Sequence, residues 1–223
     1  MLGFYSSEQE RIEENKKFEI LRENYTLLKK GILPKSYTFR FLPAYEGDVF
    51  KGEYINWRDK YIKDFGFPLL SESWIRPLAR WIGDRPCLEV MAGKGVLSYY
   101  LRKNGVNIKS TDNYTWREQT WFKDNHIVEN LDCVKSVYKY GKQVSFIICS
   151  WPYMDDSAYK TLLAMREVNH KCRMIYIGEW WGGCTASDEF FEIVKVEKLE
   201  TFYDAVKNFS CWEGIHDDIH LLK

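Results

Sequence analysis

The sequence predicts an α/β fold in which helices pack on both faces of a mostly parallel sheet of about seven strands. Short apolar runs recur along the chain, glycine or proline turns follow them, and segments with helical apolar spacing separate them. This alternation is typical of parallel sheets, because each return to the same sheet edge requires a crossover. We divide the chain into a helical and irregular N-terminal extension, residues 1–66, and a sheet domain, residues 67–223.

Length and composition indicate one large globular domain with an appendage. The chain has 223 residues, of which 17% are aromatic, enough to bury a substantial core. Basic and acidic residues number 32 each, so the net charge of zero gives no strong signal for nucleic-acid binding. No apolar run reaches the roughly 18 residues of a membrane-spanning helix, and no signal-peptide pattern opens the chain. We therefore expect a cytoplasmic protein that does not enter membranes.

Cysteine and histidine spacing predicts no metal site. Most of the six cysteines fall in or beside predicted strands without a Cys-x-x-Cys pair, which favours reduced core residues. His216 and His220 would share one face of the last strand, but no third ligand accompanies them.

The N-terminal extension begins with a charged segment, residues 1–30, that is predicted to be helical and to end before Gly31 and Pro34. Its charge favours a solvated helix packed on the domain edge, and partner binding or self-association is the alternative. The aromatic segment 37–54 is expected to be irregular. A helical piece over 54–67 precedes a helix that begins after Ser71 and ends at Gly83.

The most informative motif lies between residues 85 and 113. A strand over 87–91 is followed by a turn with Gly93 and Gly95, then by a helix, and a second strand over 106–111 ends at Asp112. This arrangement places glycines and an acid at one sheet edge, where open α/β sheets bind nucleoside cofactors. The glycines let the backbone approach the ligand, and the acid can accept hydrogen bonds from ribose hydroxyls.

The glycine spacing departs from both common phosphate-binding loops. A dinucleotide loop reads Gly-x-Gly-x-x-Gly, and Ser98 stands at its third glycine position. A P-loop requires Gly-x-x-x-x-Gly-Lys-Ser/Thr, but here Lys94 precedes Gly95 and no glycine stands at the required upstream place. A nucleotide-dependent oxidoreductase or another α/β enzyme remains an alternative.

The segment Leu88 to Gly95, Leu-Glu-Val-Met-Ala-Gly-Lys-Gly, resembles motif I of the class I S-adenosylmethionine-dependent methyltransferases, which share a Rossmann-like sheet. That motif reads Glu/Asp-x-Gly-x-Gly-x-Gly, and Met91 stands at its first glycine. The resemblance implies S-adenosyl-L-methionine as cofactor. It implies these binding residues around the first two strands: Glu89, Ala92, Gly93, Gly95, Asp112 and Asn113.

The resemblance also implies a place for the adenine. A third strand is predicted over 126–129, and in this family the following loop commonly holds an acid and the next backbone amide against the adenine. Asp132 and Cys133 occupy that place. The alternative is that Asp132 caps the helix predicted over 134–140, since aspartate is common at helix starts.

A second motif follows the fourth strand, predicted over 143–149. Ser150-Trp151-Pro152-Tyr153 resembles motif IV of amine-methylating members, Asp/Asn/Ser-Pro-Pro-Tyr/Phe, with Trp151 in place of the first proline. The resemblance implies that Ser150, Pro152 and Tyr153 orient the acceptor and that Ser150 also borders the cofactor. An ordinary proline-containing turn is the alternative.

Three further strands complete the predicted sheet, over 174–178, 191–198 and 216–222. Glu179 follows the first of them, and loops at sheet ends carry ligand contacts, so Glu179 is the candidate general base. The order of motifs from about residue 68 to 223 resembles that of uncharacterised microbial and viral methyltransferase-like proteins.

These observations predict a methyltransferase for an unidentified acceptor, which could be a small molecule, a peptide or a nucleobase; the second motif indicates an amine nitrogen. A sulfonium methyl group is already activated, so the protein chiefly has to hold the nucleophile in line and exclude water. Acidic residues suit this cationic cofactor. The alternative is a non-catalytic S-adenosylmethionine-binding or partner-binding protein, in which Met91 and Trp151 impair the site.

Overall fold

A computed structural model of the chain describes residues 8–37, 49–115, 118–123, 126–212 and 214–223. In chain order its helices and strands are α1 (Glu8–Lys29), α2 (Val49–Phe65), α3 (Glu72–Ile82), β1 (Cys87–Val90), α4 (Val96–Lys103), β2 (Ile108–Asp112), β3 (Glu129–Asn130), α5 (Cys133–Tyr140), β4 (Phe146–Ser150), α6 (Ser157–Val168), β5 (Arg173–Glu179), α7 (Asp188–Ile193), α8 (Glu200–Val206) and β6 (Asp217–Leu222).

The described strands form one sheet in the order β3-β2-β1-β4-β5-β6. Strands β1 to β5 run parallel, and β6 is antiparallel to β5. Because β1 pairs with β2 on one side and with β4 on the other, the strand order reverses between β1 and β4. The predicted α/β class with a mostly parallel sheet is confirmed, and the order is compatible with a Rossmann-like fold.

Helices cover both faces of this sheet. Alternate residues of a strand point to opposite sides, and here both sets are apolar and buried. Ile148 and Ile175 belong to a core that also contains residues of α1 to α4 and α8. Their neighbours Ile147 and Met174 belong to a second core, with residues of α5, α6 and α7. Strands buried on both sides explain the continuous apolar runs of the sequence.

The N-terminal helices contribute directly to the first core. Leu21 and Leu28 of α1 and Tyr61 of α2 are almost fully buried there, beside residues of α3 and α4. The Tyr61 hydroxyl accepts a hydrogen bond from the Leu70 amide at 2.9 Å. These contacts join α1 and α2 to the segment that leads into the sheet.

Several predicted elements differ from the structure. Residues 191–198 were expected to be a strand, but they end α7 and form only one isolated bridge, from Val196 to Leu222. This bridge lies on the outer edge of β6 but does not extend into a ladder, so the described sheet has six strands instead of seven. Residues 38–48 of the segment expected to be irregular lie outside the described residues, and helix α2 begins at Val49.

Two findings concern the cysteines and membranes. The structure forms no disulfide among the six cysteines, and it buries Cys87, Cys133, Cys149 and Cys172. Among the described helices, none combines the length and the apolar composition needed to cross a membrane.

Candidate functional site

A cleft of about 750 Å³ opens at the carboxyl ends of β1, β2 and β4. This is the point where the strand order reverses, and open α/β sheets bind their ligands there. The volume falls within the roughly 300–1,000 Å³ of small-molecule sites. The cleft is therefore the candidate functional site.

Most of the predicted site residues line this cleft. They are Glu89, Ala92, Gly93, Asp112, Asn113, Cys133, Ser150, Pro152 and Tyr153. Gly95, Asp132 and Glu179 lie outside its lining. The two motifs, about 60 residues apart in sequence, thus meet in space because β1 and β4 are neighbours.

The loop after β1 has a left-handed backbone at alternate residues. The φ angles of Met91, Gly93 and Gly95 are +52°, +59° and +71°. Three of its amides donate within the protein: Ala92 to the Thr111 carbonyl at 3.0 Å, Gly95 to the Ala92 carbonyl at 2.8 Å, and Gly93 to Asp112 at 2.7 Å. The loop therefore differs from a phosphate-binding turn, which directs its amides towards the ligand.

Asp112 ties this loop to the turn after β2. One carboxylate oxygen accepts from the Gly93 amide and the other from the Tyr114 amide, each at 2.7 Å. The side chain is buried but lines the cleft. Each carboxylate oxygen has a second lone pair, so Asp112 can still accept a ligand hydroxyl. The adjacent Asn113 accepts from the Thr115 amide at 3.1 Å and closes the turn.

Glu89 is a buried acid of the cleft with an incomplete set of hydrogen bonds. It is 2% exposed, and its Oε2 has no hydrogen-bond partner among the described residues. Burial raises the pKa of this carboxyl to about 7; Ser98 opposes the shift, and the Asp112 carboxylate adds to it. A buried carboxyl with an unused oxygen is costly unless a ligand supplies a cation or a donor.

A polar cluster behind the glycine loop was not predicted from the sequence. The Ser98 hydroxyl lies 2.9 Å from Nε2 of His126, and Ser110 donates to Ser98 at 2.5 Å. Burial lowers the pKa of His126 to about 4, helped by Arg102, so its ring is neutral at pH 7. No local motif marks this cluster, because Ser98 lies in α4, Ser110 in β2 and His126 in the chain before β3.

Trp151 adopts φ +52° at the place where the resembled motif has proline. Proline holds φ near −65°, so the substitution changes the backbone path of this loop. The indole stacks on Phe67, with ring centroids 4.0 Å apart, and its N–H donates to Oδ2 of Asp217 at 3.0 Å. Neither Phe67 nor Asp217 was predicted as a site residue.

Glu179 holds a loop together. Its two oxygens accept from the amides of Cys184 at 2.7 Å and His216 at 3.0 Å. Burial raises the pKa of Glu179, but these backbone donors outweigh it and the net shift is downward. A carboxylate of lowered pKa whose two oxygens each accept from a backbone amide is a weak base, so the predicted general-base role stays a prediction that this geometry does not favour.

Asp132 caps α5. Its Oδ1 accepts from the amides of Val134 at 3.0 Å and Lys135 at 3.1 Å. This is the alternative that the sequence left open. The neighbouring Cys133 lines the cleft, so the adenine role predicted for this pair rests on Cys133 and its backbone.

The N-terminal section forms one wall of the cleft. Lys63 at the end of α2 and the residues Phe67 and Pro68 all line it. Lys94 of the glycine loop donates from Nζ to the Lys63 carbonyl at 2.9 Å. The predicted boundary at residue 66 therefore passes through the wall of the cleft, which local periodicity could not reveal.

In the part of the chain that the structure describes, no three His, Cys, Asp or Glu side chains are grouped to hold a metal. His220 packs against Trp180, with ring centroids 4.4 Å apart.

The chain matches no protein-family model and no curated protein. Fold and site define a class: a mostly parallel α/β protein with a small-molecule cleft where its strand order reverses.

Proposed function

We propose that the protein is a class I S-adenosylmethionine-dependent methyltransferase whose acceptor is an amine nitrogen. One observation carries the proposal: the buried Glu89 carboxyl, with an oxygen that has no partner among the described residues, lines a cleft at the sheet's switch point. A nucleoside ligand with positive charge suits both features, because such sheets bind nucleosides at this point and the carboxyl attracts a cation.

The backbone of the glycine loop supports the resemblance to motif I. Met91 replaces the first glycine of that motif, yet its φ of +52° is one that glycine favours. A side chain in this conformation costs about 1–2 kcal/mol, and such strain is common at functional sites. The turn can therefore follow the path of the motif despite the substitution.

Hydrogen bonding and charge favour a sulfonium nucleoside over a dinucleotide. The amides of Ala92, Gly93 and Gly95 already donate within the protein. The carboxylates of Glu89 and Asp112 stand beside them, where a pyrophosphate would be repelled.

Bound S-adenosylmethionine would supply a methyl group already activated by the positive sulfur. Glu89 would face the cationic part of the ligand, Asp112 and Asn113 would accept from the ribose, and Cys133 would border the adenine. Ser150 would accept a hydrogen bond from the acceptor nitrogen through its hydroxyl oxygen. Phe67, Pro152 and Tyr153 would form apolar walls that exclude water.

Binding without methyl transfer is the second candidate, and Trp151 favours it. In the resembled amine-methylating motif, a loop carbonyl helps to hold the amine. The left-handed backbone of Trp151 directs the loop differently from a proline. A protein that binds the cofactor but does not turn it over would be consistent with this change.

Calorimetric titration with S-adenosylhomocysteine tests the proposal, with NAD as the competing ligand. We expect micromolar binding of S-adenosylhomocysteine only. Asp112→Ala should lower the affinity about tenfold or more, because the Gly93 and Tyr114 amides and the ribose hydroxyls all lose their hydrogen-bond acceptor. Asp112→Asn keeps one acceptor oxygen and is expected to lie between the two.

The matched control is Asp204→Asn, since Asp204 is an exposed acid of α8, outside the cleft lining. Binding proteins are then incubated with S-adenosylmethionine and three acceptors: n-butylamine, a lysine-containing peptide and an adenine-containing oligonucleotide. Binding without any methyl transfer would identify the second candidate. Absence of S-adenosylhomocysteine binding would reject both.

A further inference from the structure

Trp151 is held by three contacts although it lies in a loop: two are made by its side chain and one by its backbone. Its indole stacks nearly parallel on Phe67, at an interplanar angle of 9°. Its indole N–H donates to Asp217 on β6, and its backbone N–H donates to the Ile177 carbonyl of β5 at 2.7 Å. Such convergence of distant segments fixes the left-handed conformation of a residue that lines the cleft.

Asp217 is an energetically unfavourable acceptor for the Trp151 indole, because it is a buried acid. It is 5% exposed, and its Oδ1 has no hydrogen-bond partner within the described chain. It stands opposite Glu179 in the β5–β6 register, so two acids face each other inside the protein. An asparagine would serve a purely structural hydrogen bond without this repulsion.

The surroundings of Asp217 explain its protonation. Burial raises its pKa to about 7; the Trp151 indole opposes the shift, and the Glu179 and Asp218 carboxylates add to it. When Asp217 ionises, its hydrogen bond from the indole becomes charge-assisted and shorter. The Trp151 N–H therefore reports the ionisation of Asp217 directly.

The position of Trp151 affects the three residues that are expected to orient the acceptor. Ser150 precedes it and Pro152 with Tyr153 follow it, and all of them line the cleft. Trp151 lies between these residues in the chain and has the only left-handed φ among the described residues 150–153. A shift of its indole would therefore relax this backbone conformation and move its neighbours. The loop consequently depends on a residue outside the cleft lining.

We infer that Asp217 is a positioning residue which, through the Trp151 indole, sets the acceptor-side wall of the cleft. The inference rests on the proposed function for the identity of the ligand, but the contact between Asp217 and Trp151 does not. It assigns a role to β6, which contributes no residue to the lining of the cleft.

The test uses the indole N–H signals in ¹H–¹⁵N correlation spectra of the full chain, with Trp151→Phe to assign the Trp151 signal. We expect this signal to titrate with a midpoint near pH 7, and not to titrate in Asp217→Asn. Asp217→Asn should keep the signal close to its wild-type position, whereas Asp217→Leu should displace it. Saturating S-adenosylhomocysteine should shift it in the wild type, and this response should be lost in Asp217→Leu.

Trp81→Phe is the matched control, because Trp81 is a half-buried indole donor to Thr201, outside the cleft. Its variant should lose one signal and leave that of Trp151 unchanged. A Trp151 signal that is equal in Asp217→Leu and the wild type would overturn the inference. So would S-adenosylhomocysteine binding that leaves the Trp151 signal unmoved, while a lack of binding by the wild type would reject the proposed function itself.

Discussion

Gly95→Ala is expected to lower the free energy of unfolding by about 3 kcal/mol and to abolish ligand binding. A Cβ at this residue would lie 2.6 Å from Cγ2 of Val128 and 2.8 Å from the His126 ring. Both neighbours are almost fully buried, and His126 is held by Ser98, so neither can move aside cheaply. The φ of +71° adds backbone strain to this clash. Urea unfolding and calorimetric titration with S-adenosylhomocysteine measure the two effects.

Gly105→Ala is the matched control for this prediction. Gly105 has φ +91°, but no described atom lies within 4 Å of the position that the alanine methyl group would take. The substitution should therefore cost only the backbone term, about 1 kcal/mol, and leave binding unchanged. Equal losses in the two variants would show that the close contact behind the glycine loop does not exist in solution.

Glu89→Gln is expected to make both stability and ligand binding less dependent on pH. The pKa of Glu89 is raised from 4.5 to about 7 in the folded protein, so its contribution to stability is complete below pH 4.5 and is lost as the pH rises through 7. At 1.36 kcal/mol per unit this amounts to about 3 kcal/mol, which Glu89→Gln should remove from the pH profile. The change is measured by urea unfolding of the ligand-free protein between pH 5 and 8.

Ligand binding should show the opposite trend, because the α-ammonium group of S-adenosylhomocysteine, which S-adenosylmethionine shares, favours the ionised carboxylate. The affinity for S-adenosylhomocysteine is expected to rise about tenfold between pH 6 and 8 in the wild type, and to be lower and flat in Glu89→Gln. Glu192→Gln, which changes an acid of α7 outside the cleft lining, should retain the wild-type profile. A pH-independent affinity in the wild type would show that Glu89 does not face the ammonium group of the ligand.

Local patterns in the sequence determined the elements around the site with good accuracy. The helix predicted to end at Gly83 is α3, and its apolar residues Trp74, Ile75, Leu78, Ala79 and Ile82 are the buried ones. Strand β1, the glycine turn and helix α4 follow in the predicted order. Periodicity succeeds here because each element buries a face that its own residues define.

The predictions failed where neighbours in space decide the structure. Residues 191–198 resemble a strand, but in the structure their pairing with the edge strand β6 is limited to one bridge, from Val196 to Leu222. Phe190 and Phe191 instead pack into the core from the short helix α7. Strand formation depends on how side chains pack against their neighbours in space, which a local pattern does not contain.

The sequence by itself determined that an α/β sheet carries glycines and acids at one edge, since strand ends and turn residues are local properties. Only the tertiary structure decided what each group does there. Glu89 and Asp112 are both acids, yet burial leaves one Glu89 oxygen without a partner among the described residues, whereas backbone amides satisfy Asp112. Trp151 likewise owes its position to Phe67 and Asp217, which are far away in the chain. Protonation and orientation depend on what surrounds a side chain, and the folded chain alone brings those surroundings together.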